Sequence, residues 1–215
     1  MPPFQCYEVD HAKFNLPGVS LTDQFGARTA SVTTGKRLCN PTDLNGGEPG
    51  ALDDAEHLVG YSLVRTEPPF TPVRGLQVTN ALGTFTVDVL KPTRLFVPSA
   101  KSLTGPPPPL ASVDQFDHFS CYRVRAQPAS STVMTITDEF GTKTEKILNM
   151  EQLCVPVDKN GSGIPSPALQ LTCFKTRYVG VSFRGPGGPV FVDNQFGAAT
   201  LQVSHGEELC LPSSP

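Results

Sequence analysis

Cys121–Pro156 reads CYRVRAQPASSTVMTITDEFGTKTEKILNMEQLCVP, and its landmarks occur four times in this 215-residue chain. Each copy has a central glycine with an Asp or Asn three residues before it, and these glycines are Gly26, Gly83, Gly141 and Gly197. Counting forward from each glycine, a threonine follows after 3 residues, a β-branched residue after 6, a leucine after 12 and a proline after 15. Four copies that match without a gap identify an internal repeat, and such a repeat decides the architecture.

Each copy predicts about four short strands. The Asp or Asn before the glycine marks a hairpin bend, because glycine accepts a positive φ and the Asx side chain bonds the local backbone. The hairpin arm Thr84–Val89 alternates between apolar and polar residues, as a half-buried strand does. A single copy could not bury both of its faces, whereas two packed copies could. The predicted fold is therefore all-β, with two tandem pseudo-symmetric β-sandwich or barrel domains, each built from two four-stranded repeats.

The copies fall into two pairs. The spacing from the first cysteine register to the glycine is 20 residues in copies one and three, and 23 or 24 in copies two and four. Between the pairs, the four consecutive prolines Pro106–Pro109 predict a stiff polyproline II spacer. We therefore expect a first domain over 1–104, a linker over 105–113 and a second domain over 114–215, and we expect each domain to fold alone.

The six cysteines occur only at two registers, one near the start of a copy and one near its end. Copy two lacks both and has Gly60 and Phe96 in their places. Because a bonded pair is lost together, whereas free thiols need not be, we predict one disulfide within each of the other copies. The predicted pairs are Cys6–Cys39, Cys121–Cys154 and Cys173–Cys210. A zinc site is the alternative, but the chain has no C-x2-C spacing. Three disulfides predict an extracellular, cell-surface or periplasmic location.

The composition argues against several classes of function. The formal net charge is −3, from 17 basic and 20 acidic residues, so the chain lacks the basic footprint of a nucleic-acid-binding protein. No apolar run reaches the roughly 18 residues that suggest a transmembrane helix, so no membrane insertion is expected. No serine lies in a G-x-S-x-G elbow, and every cysteine is assigned to a bond. We therefore predict that the protein is not an enzyme and has no catalytic or cofactor-binding residues.

Two recurring positions have structural interpretations. His57 and His118 share one register at which the other two copies have no histidine, so we interpret them as surface residues at the start of a strand. A second register holds three tyrosines and a phenylalanine, which we interpret as core residues rather than a sugar-binding platform. These residues are Tyr7, Tyr61, Tyr122 and Phe174.

The polar connectors after copies one and three are the best ligand candidates, because both offer oxygen atoms to a hard cation such as calcium. The second connector begins like a calcium-binding loop, yet its twelfth position, counted from Asp158, is Leu169 rather than an acidic residue. In the first connector the sixth position is Glu48 rather than glycine. We therefore predict solvated Asx turns and no cofactor, with bound calcium as the weaker alternative. The calcium candidates are Asp43, Asn45, Asp54, Asp158 and Asn160.

Three segments of copy three, His118–Tyr122, Thr137–Gly141 and Leu153–Gly161, read HFSCY, TDEFG and LCVPVDKNG. This pattern resembles a family of tandem cysteine-paired repeats in secreted proteins of environmental bacteria, and the resemblance covers nearly the whole chain. It implies secretion and tandem β-modules. The family has no assigned activity, so the resemblance supplies no site residues.

These features favour a non-enzymatic extracellular β-repeat protein that acts as a structural, adhesive or assembly module. Duplication, the stiff spacer and the missing catalytic set support this hypothesis. Its partners would be further copies of itself or other extracellular proteins. The alternative is a ligand-binding accessory module of a secreted enzyme, for carbohydrate or another ligand. A hydrolase whose site is assembled from loops is the third hypothesis.

Overall fold

A computed structural model describes residues 1–110, 116–127, 132–181, 183 and 185–215. All strands of the described residues pair in antiparallel fashion, and the only helical element among them is a short 3-10 helix over Pro49–Asp53, which confirms the predicted all-β class. The strands are β1 (Phe4–Asp10), β2 (Asn15–Asp23), β3 (Gly26–Pro41), β4 (Asp43–Leu44), β5 (His57–Glu67), β6 (Val73–Asn80), β7 (Gly83–Ser102), β8 (His118–Ala126), β9 (Val133–Asp138), β10 (Gly141–Lys159), β11 (Gln170–Tyr178), β12 (Val190–Asp193) and β13 (Ala199–Ser214).

Each repeat contains three main strands rather than the predicted four, because the last two predicted strands are one long strand. In repeat one this strand is β3, and its pairing with β5 shifts register on both sides of Gly35. Pro92 and Met150 occupy the same position in β7 and β10, where the register also shifts. A bulge of this kind bends a strand without ending it. The interruption that the sequence shows in the middle of each copy is therefore a bend within one strand and not a break between two strands.

The first and third strands of all four repeats close into one ring of eight strands. The pairing runs from β1 through β3, β5, β7, β8, β10, β11 and β13, and β13 pairs with β1 again. The division into domains 1–104 and 114–215 is not confirmed, because β7 with β8 and β1 with β13 join the two halves. Within the predicted linker 105–113, the described residues 105–110 have no regular secondary structure, and 111–115 lie outside the described residues.

The interior of the ring is built in layers. One end is closed by an apolar ring, in which a bulky apolar residue of each first strand faces a proline of the third strand. These pairs are Phe4 with Pro41, Leu58 with Pro98, Phe119 with Pro156, and Leu171 with Pro212. The next layer holds the cysteines. The third layer, at the other end of the ring, is polar and is described below with the candidate site.

The middle layer contains three disulfides, and they join the same pairs that the repeat register predicts: Cys6–Cys39, Cys121–Cys154 and Cys173–Cys210. The bonded residues lie directly opposite each other on the first and third strands of a repeat. In repeat two, Gly60 lies directly opposite Phe96. A Cβ atom placed on Gly60 would come within 2.8 Å of the Phe96 ring, so the ring occupies the space beside the glycine.

Removing the Phe96 ring should open a cavity in the middle layer, because this side chain is fully buried among the disulfides. Phe96→Ala is expected to lower the free energy of unfolding by about 3–5 kcal/mol. Urea denaturation with the disulfides intact would measure the change. The half-buried Phe191 of β12 provides the matched control, for which we expect a smaller loss. Equal losses in the two variants would contradict the packing role of Phe96.

The hairpins of the repeats cross over to the opposite side of the ring. Strand β2 of repeat one pairs with the end of β10, and β9 of repeat three pairs with β4 after repeat one. In the same way β6 pairs with the end of β13, and β12 pairs with the end of β7. Repeats one and three therefore exchange hairpins, and so do repeats two and four. The exchange covers both outer faces of the ring with apolar side chains.

Candidate functional site

A polar ring forms the third layer, two residues along each strand from the cysteine layer. Because side chains two apart in a strand share a face, these residues extend the interior of the strand ring. Direct cross-strand partners in the polar ring are Glu8 with Arg37, Ser62 with Arg94, Gln152 with Arg123, and Lys175 with Glu208. All four repeats thus contribute one pair of polar side chains to the same end of the molecule.

Glu208 is the centre of the ion pairs in this layer. Its Oε2 lies 2.7 Å from Nη1 of Arg94 and 4.0 Å from Nε of Arg37. Arg37 also pairs with Glu207 through its Nη2. The Glu208 side chain is only 5% exposed, so its charge is compensated inside the structure rather than by water. The inner part of the polar ring is therefore neutralised by its own members.

Two adjoining cavities open at this end of the ring, with volumes of about 600 Å³ and 550 Å³. Arg94 and Glu151 line both cavities. The first cavity is also lined by Leu90, Thr93, Arg123, Val124, Arg125, Ala126, Asn149, Met150 and Gln152. The second is also lined by Arg37, Lys175, Thr176, Arg177, Tyr178, His205, Gly206, Glu207 and Glu208. Volumes of this size are typical of binding sites for small ligands.

The cavities are basic although the chain is acidic. Six arginine and lysine side chains line them against three carboxylates, whereas the whole chain carries a net charge of −3. Four of the six are exposed and make no ion pair within the described part of the chain. These are Arg123, Arg125, Lys175 and Arg177. We call this surface, formed by the polar ring and the two cavities, the basic end.

Like charges face each other at the margin of the basic end. Lys91 lies directly opposite Arg123 across β7 and β8, and Lys146 lies directly opposite Arg177 across β10 and β11. Like charges in directly opposed positions destabilise a sheet. A bound anion would relieve this repulsion. Guanidinium groups hold carboxylate, sulfate or phosphate through paired hydrogen bonds, so the arrangement is suited to binding an anionic group.

The five calcium candidates have structural partners. Oδ1 of Asn45 accepts from the Thr135 amide at 2.9 Å, and Oδ1 of Asn160 accepts from the Ser20 amide at 2.8 Å. These asparagines therefore fasten the hairpin of the opposite repeat. The aspartates bond the backbone of their own connectors. Asp43 accepts from Glu48, Asp54 from Glu56, and Asp158 from Gly163.

Potential metal ligands come together elsewhere. Among the described residues, two groups of three His, Cys, Asp or Glu side chains approach closely enough to hold a cation, and neither includes a calcium candidate. One group contains Glu208, Cys6 and Cys210, and the two sulfur atoms in it belong to different disulfides, Cys6–Cys39 and Cys173–Cys210. The other is Glu8, His205 and Glu207, in which Nε2 of His205 lies 2.9 Å from Oε1 of Glu207 and forms an ion pair when protonated.

The interpretation of both histidines as surface residues is wrong for His118, which is only 3% exposed. Burial, followed by the charge of Lys159, lowers the pKa of His118 to about 4. His57 is partly buried, and burial followed by Lys101 lowers its pKa to about 3. Both rings are therefore neutral at physiological pH. Neither lines the basic end.

The recurring tyrosines are core residues, as predicted, and they also connect opposite repeats. The Tyr7 hydroxyl donates to Asp138 in the hairpin of repeat three, and Nζ of Lys143 donates to Asp138 at 2.7 Å. Burial, followed by the Asp138 carboxylate, raises the pKa of Tyr7 well above its usual value. The phenol therefore remains a proton donor at neutral pH. Because the three side chains are almost fully buried, this triad is structural.

The reciprocal contact joins Tyr122 to Asp23 in the hairpin of repeat one at 2.5 Å, with Arg28 as the cation. In the fourth repeat the acidic residue is replaced by Asn194, which bonds the Tyr61 hydroxyl of repeat two. The position of the cation there is taken by Ala199. The acidic residue and the cation are therefore both absent from the neutral version of the contact, so neither Asn194 nor Ala199 introduces a buried charge.

All four Asx residues before the glycines have the turn role predicted for them. Each side-chain Oδ1 accepts from the backbone amide two residues later, at 2.7–2.9 Å. The basic end was not predicted. A signal for it exists in the sequence. Counting two residues forward from the first cysteine of a copy and two back from the second reaches six polar residues: Glu8, Arg37, Arg123, Gln152, Lys175 and Glu208. The count becomes informative only once the strands are known to close into one ring.

Three findings concern the relation of the chain to other proteins and to membranes. No helix of the described residues has the length and apolar character needed to cross a bilayer. The three disulfides indicate a location outside the reducing cytosol. Neither the curated proteins nor the solved structures contain a match to the chain.

A family model for a repeat of unknown function, DUF7450, matches residues 57–168, which include all of repeats two and three and the proline-rich segment between them. The matched unit contains two of the copies described above and more than half of the chain. It therefore spans the segment that the sequence suggested as a domain boundary. The family gives no activity and no site residues. The chain belongs to the DUF7450 family of repeats.

Proposed function

We propose that the protein is a secreted, non-catalytic binding module that holds an anionic group of a ligand at its basic end. One observation carries this proposal: in a chain of net negative charge, two adjoining cavities are lined by four cationic side chains that have no ion partner among the described residues. Folded proteins normally pair or disperse their charges, so such a concentration favours an anionic partner.

The rigidity of the strand ring supports the same function. The four cations lie on β8 and β11, and each of these strands contains a cysteine of a buried disulfide. The distances between the cations are therefore largely fixed before a ligand binds. Preorganised sites lose less conformational entropy on binding. The described lining residues include no serine or cysteine, and the ring of His205 is engaged with Ser204 and Glu207. This composition favours binding over nucleophilic catalysis.

The structural, adhesive or assembly role is the second candidate function. The closed ring with its three buried disulfides favours it, because such a domain withstands an extracellular environment without chaperones. An extracellular, cell-surface or periplasmic location is part of both proposals. The two roles are compatible, since an assembly module also requires a surface that recognises its neighbour.

Small multivalent anions provide a direct test of the basic end. Citrate and pyrophosphate are expected to bind the wild-type protein in isothermal titration calorimetry, with an affinity that falls as salt is added. Arg123→Gln with Arg125→Gln removes two cations from the first cavity. Each lost charge-assisted hydrogen bond costs about 1.5–3 kcal/mol, so for two lost bonds we expect the affinity to fall by at least about 100-fold.

The matched control is Lys13→Gln, which removes an exposed cation from a loop that does not line the cavities. It should bind both anions like the wild type. An equal loss in the control and in the double variant would mean that binding reflects general charge. The absence of binding to the wild type at low salt would overturn the proposal.

A further inference from the structure

We propose that the anionic partner of the basic end is the opposite, acidic end of a second copy of this chain, so that molecules associate head to tail. This inference rests on the proposed function and names the partner of the same site. The two surfaces lie at opposite ends of one strand ring, because the apolar ring and the polar ring are on either side of the cysteine layer. A chain with complementary ends can stack in one direction.

The acidic end is formed by the connector between β3 and β5. Pro41 and Leu58 belong to the apolar ring, so the residues between them lie beyond that ring, at the end remote from the basic one. Glu48 and Asp53 are exposed, and Asp54 is half-buried. None of the three makes an ion pair within the described part of the chain. The connector therefore has unpaired carboxylates that match the unpaired cations of the basic end.

The connector also has a shape and an apolar residue that suit a cavity. The 3-10 helix Pro49–Asp53 presents Leu52, which is 43% exposed, immediately before Asp53. The first cavity combines Arg123 and Arg125 with an apolar part formed by Leu90, Val124, Ala126 and Met150. A protruding turn with a leucine next to a carboxylate matches both parts of this lining. Charge and apolar contact together favour a protein segment over a polysaccharide, whose rings usually require aromatic side chains.

Association through two different surfaces does not close on itself. The basic end of one molecule binds the acidic end of the next, which leaves one free end of each kind, so the contact is heterologous and extends into a row. The contact should be weak and sensitive to salt, since exposed charges are screened beyond about 10 Å at 0.1 M salt. A row of this kind would give the assembly role a structural basis.

Two charge-reversed variants separate the ends. The first, Arg123→Glu with Arg125→Glu, has an altered basic end and an intact acidic end. The second, Glu48→Lys with Asp53→Lys, has an intact basic end and an altered acidic end. Sedimentation velocity at low salt should show association of the wild type that increases with concentration. Each variant alone should remain monomeric, because its two ends carry charge of the same sign. An equimolar mixture should associate again into alternating rows, through both the native and the reversed contact.

All four substitutions in one chain should restore self-association, because the reversed ends again complement each other. Lys13→Glu is the matched control and should associate like the wild type. A wild type that is monomeric at every concentration, or variants that associate as the wild type does, would overturn the proposal. A monomeric wild type that still binds citrate, or that binds an acidic oligosaccharide at the same arginines, would support the anion site and contradict the self-association.

Discussion

Neither half of the chain should fold when the fragments Met1–Lys101 and Asp114–Pro215 are produced separately. Each fragment would leave two strands of the eight-stranded ring with one unpaired edge, because β7 pairs with β8 and β1 pairs with β13. The first fragment would also lack the hairpin of repeat four, and the second fragment the hairpin of repeat two, each of which covers part of an outer face. Unpaired edges and exposed apolar faces lead to disorder or aggregation. Circular dichroism and the dispersion of amide resonances would measure folding.

A nicked protein is the matched control for this experiment. A protease site inserted between Thr104 and Gly105, which lie outside every strand, should be cleaved without loss of structure. The two halves should remain associated after cleavage, since the strand pairs and the hairpin contacts between them persist. Two fragments with native-like dispersion, each stable as a monomer, would show that the ring separates into independent domains.

Removing the carboxylate of Asp138 should be among the most destabilising single changes in the chain. This side chain binds the Tyr7 hydroxyl and Nζ of Lys143, and the lysine side chain is only 5% exposed. Without its partner Lys143 becomes an uncompensated buried charge, and breaking such a pair typically costs about 3–5 kcal/mol. Asp138→Asn is the informative substitution, because asparagine forms the same turn in repeats two and four. The free energy of unfolding in urea would measure the loss.

The fourth repeat provides the control for this prediction. It has Asn194 and Ala199 at the positions of Asp138 and Lys143. Combining Asp138→Asn with Lys143→Ala therefore converts repeat three to a combination that the protein already uses. The double variant should recover most of the lost stability, giving a clear coupling energy in the double-mutant cycle. Equal stability of the single and the double variant would mean that the ion pair makes no net contribution.

The sequence predicts best what depends on neighbours in the chain. The hairpin turns follow from an Asx residue and a glycine with positive φ, such as Asp138 and Gly141, whose φ is 107°. The core role of Tyr122 follows from its recurrence next to a cysteine. The continuity of β3 through Gly35 was missed, because a bulge and a strand break leave the same local pattern.

The candidate site could not be predicted in the same way. Arg94 and Glu208 are 114 residues apart and meet only because the strand ring closes. The sequence suggests the oxygen-rich connectors as ligand sites because their composition resembles that of a calcium loop. Asn45 and Asn160 instead use their oxygens to hold strands of the opposite repeat. The sequence alone does not distinguish an asparagine that accepts a hydrogen bond from a neighbouring strand from one that binds a ligand.

The sequence by itself determined the four repeats, their turns and the cysteine pairs, because each of these is specified within one copy by residue type and spacing. Only the tertiary structure decided that the four copies close into one ring and exchange their hairpins across it. Because the repeats are similar, their strand edges and apolar faces are similar too. The local sequence pattern is therefore equally compatible with strands that pair within one half of the chain and with strands that pair between the halves. Burial of side chains that are distant in sequence selects the pairing between the halves. Apolar hairpin faces need the opposite repeat to cover them, and buried groups such as Asp138 and Tyr7 find their partners only there.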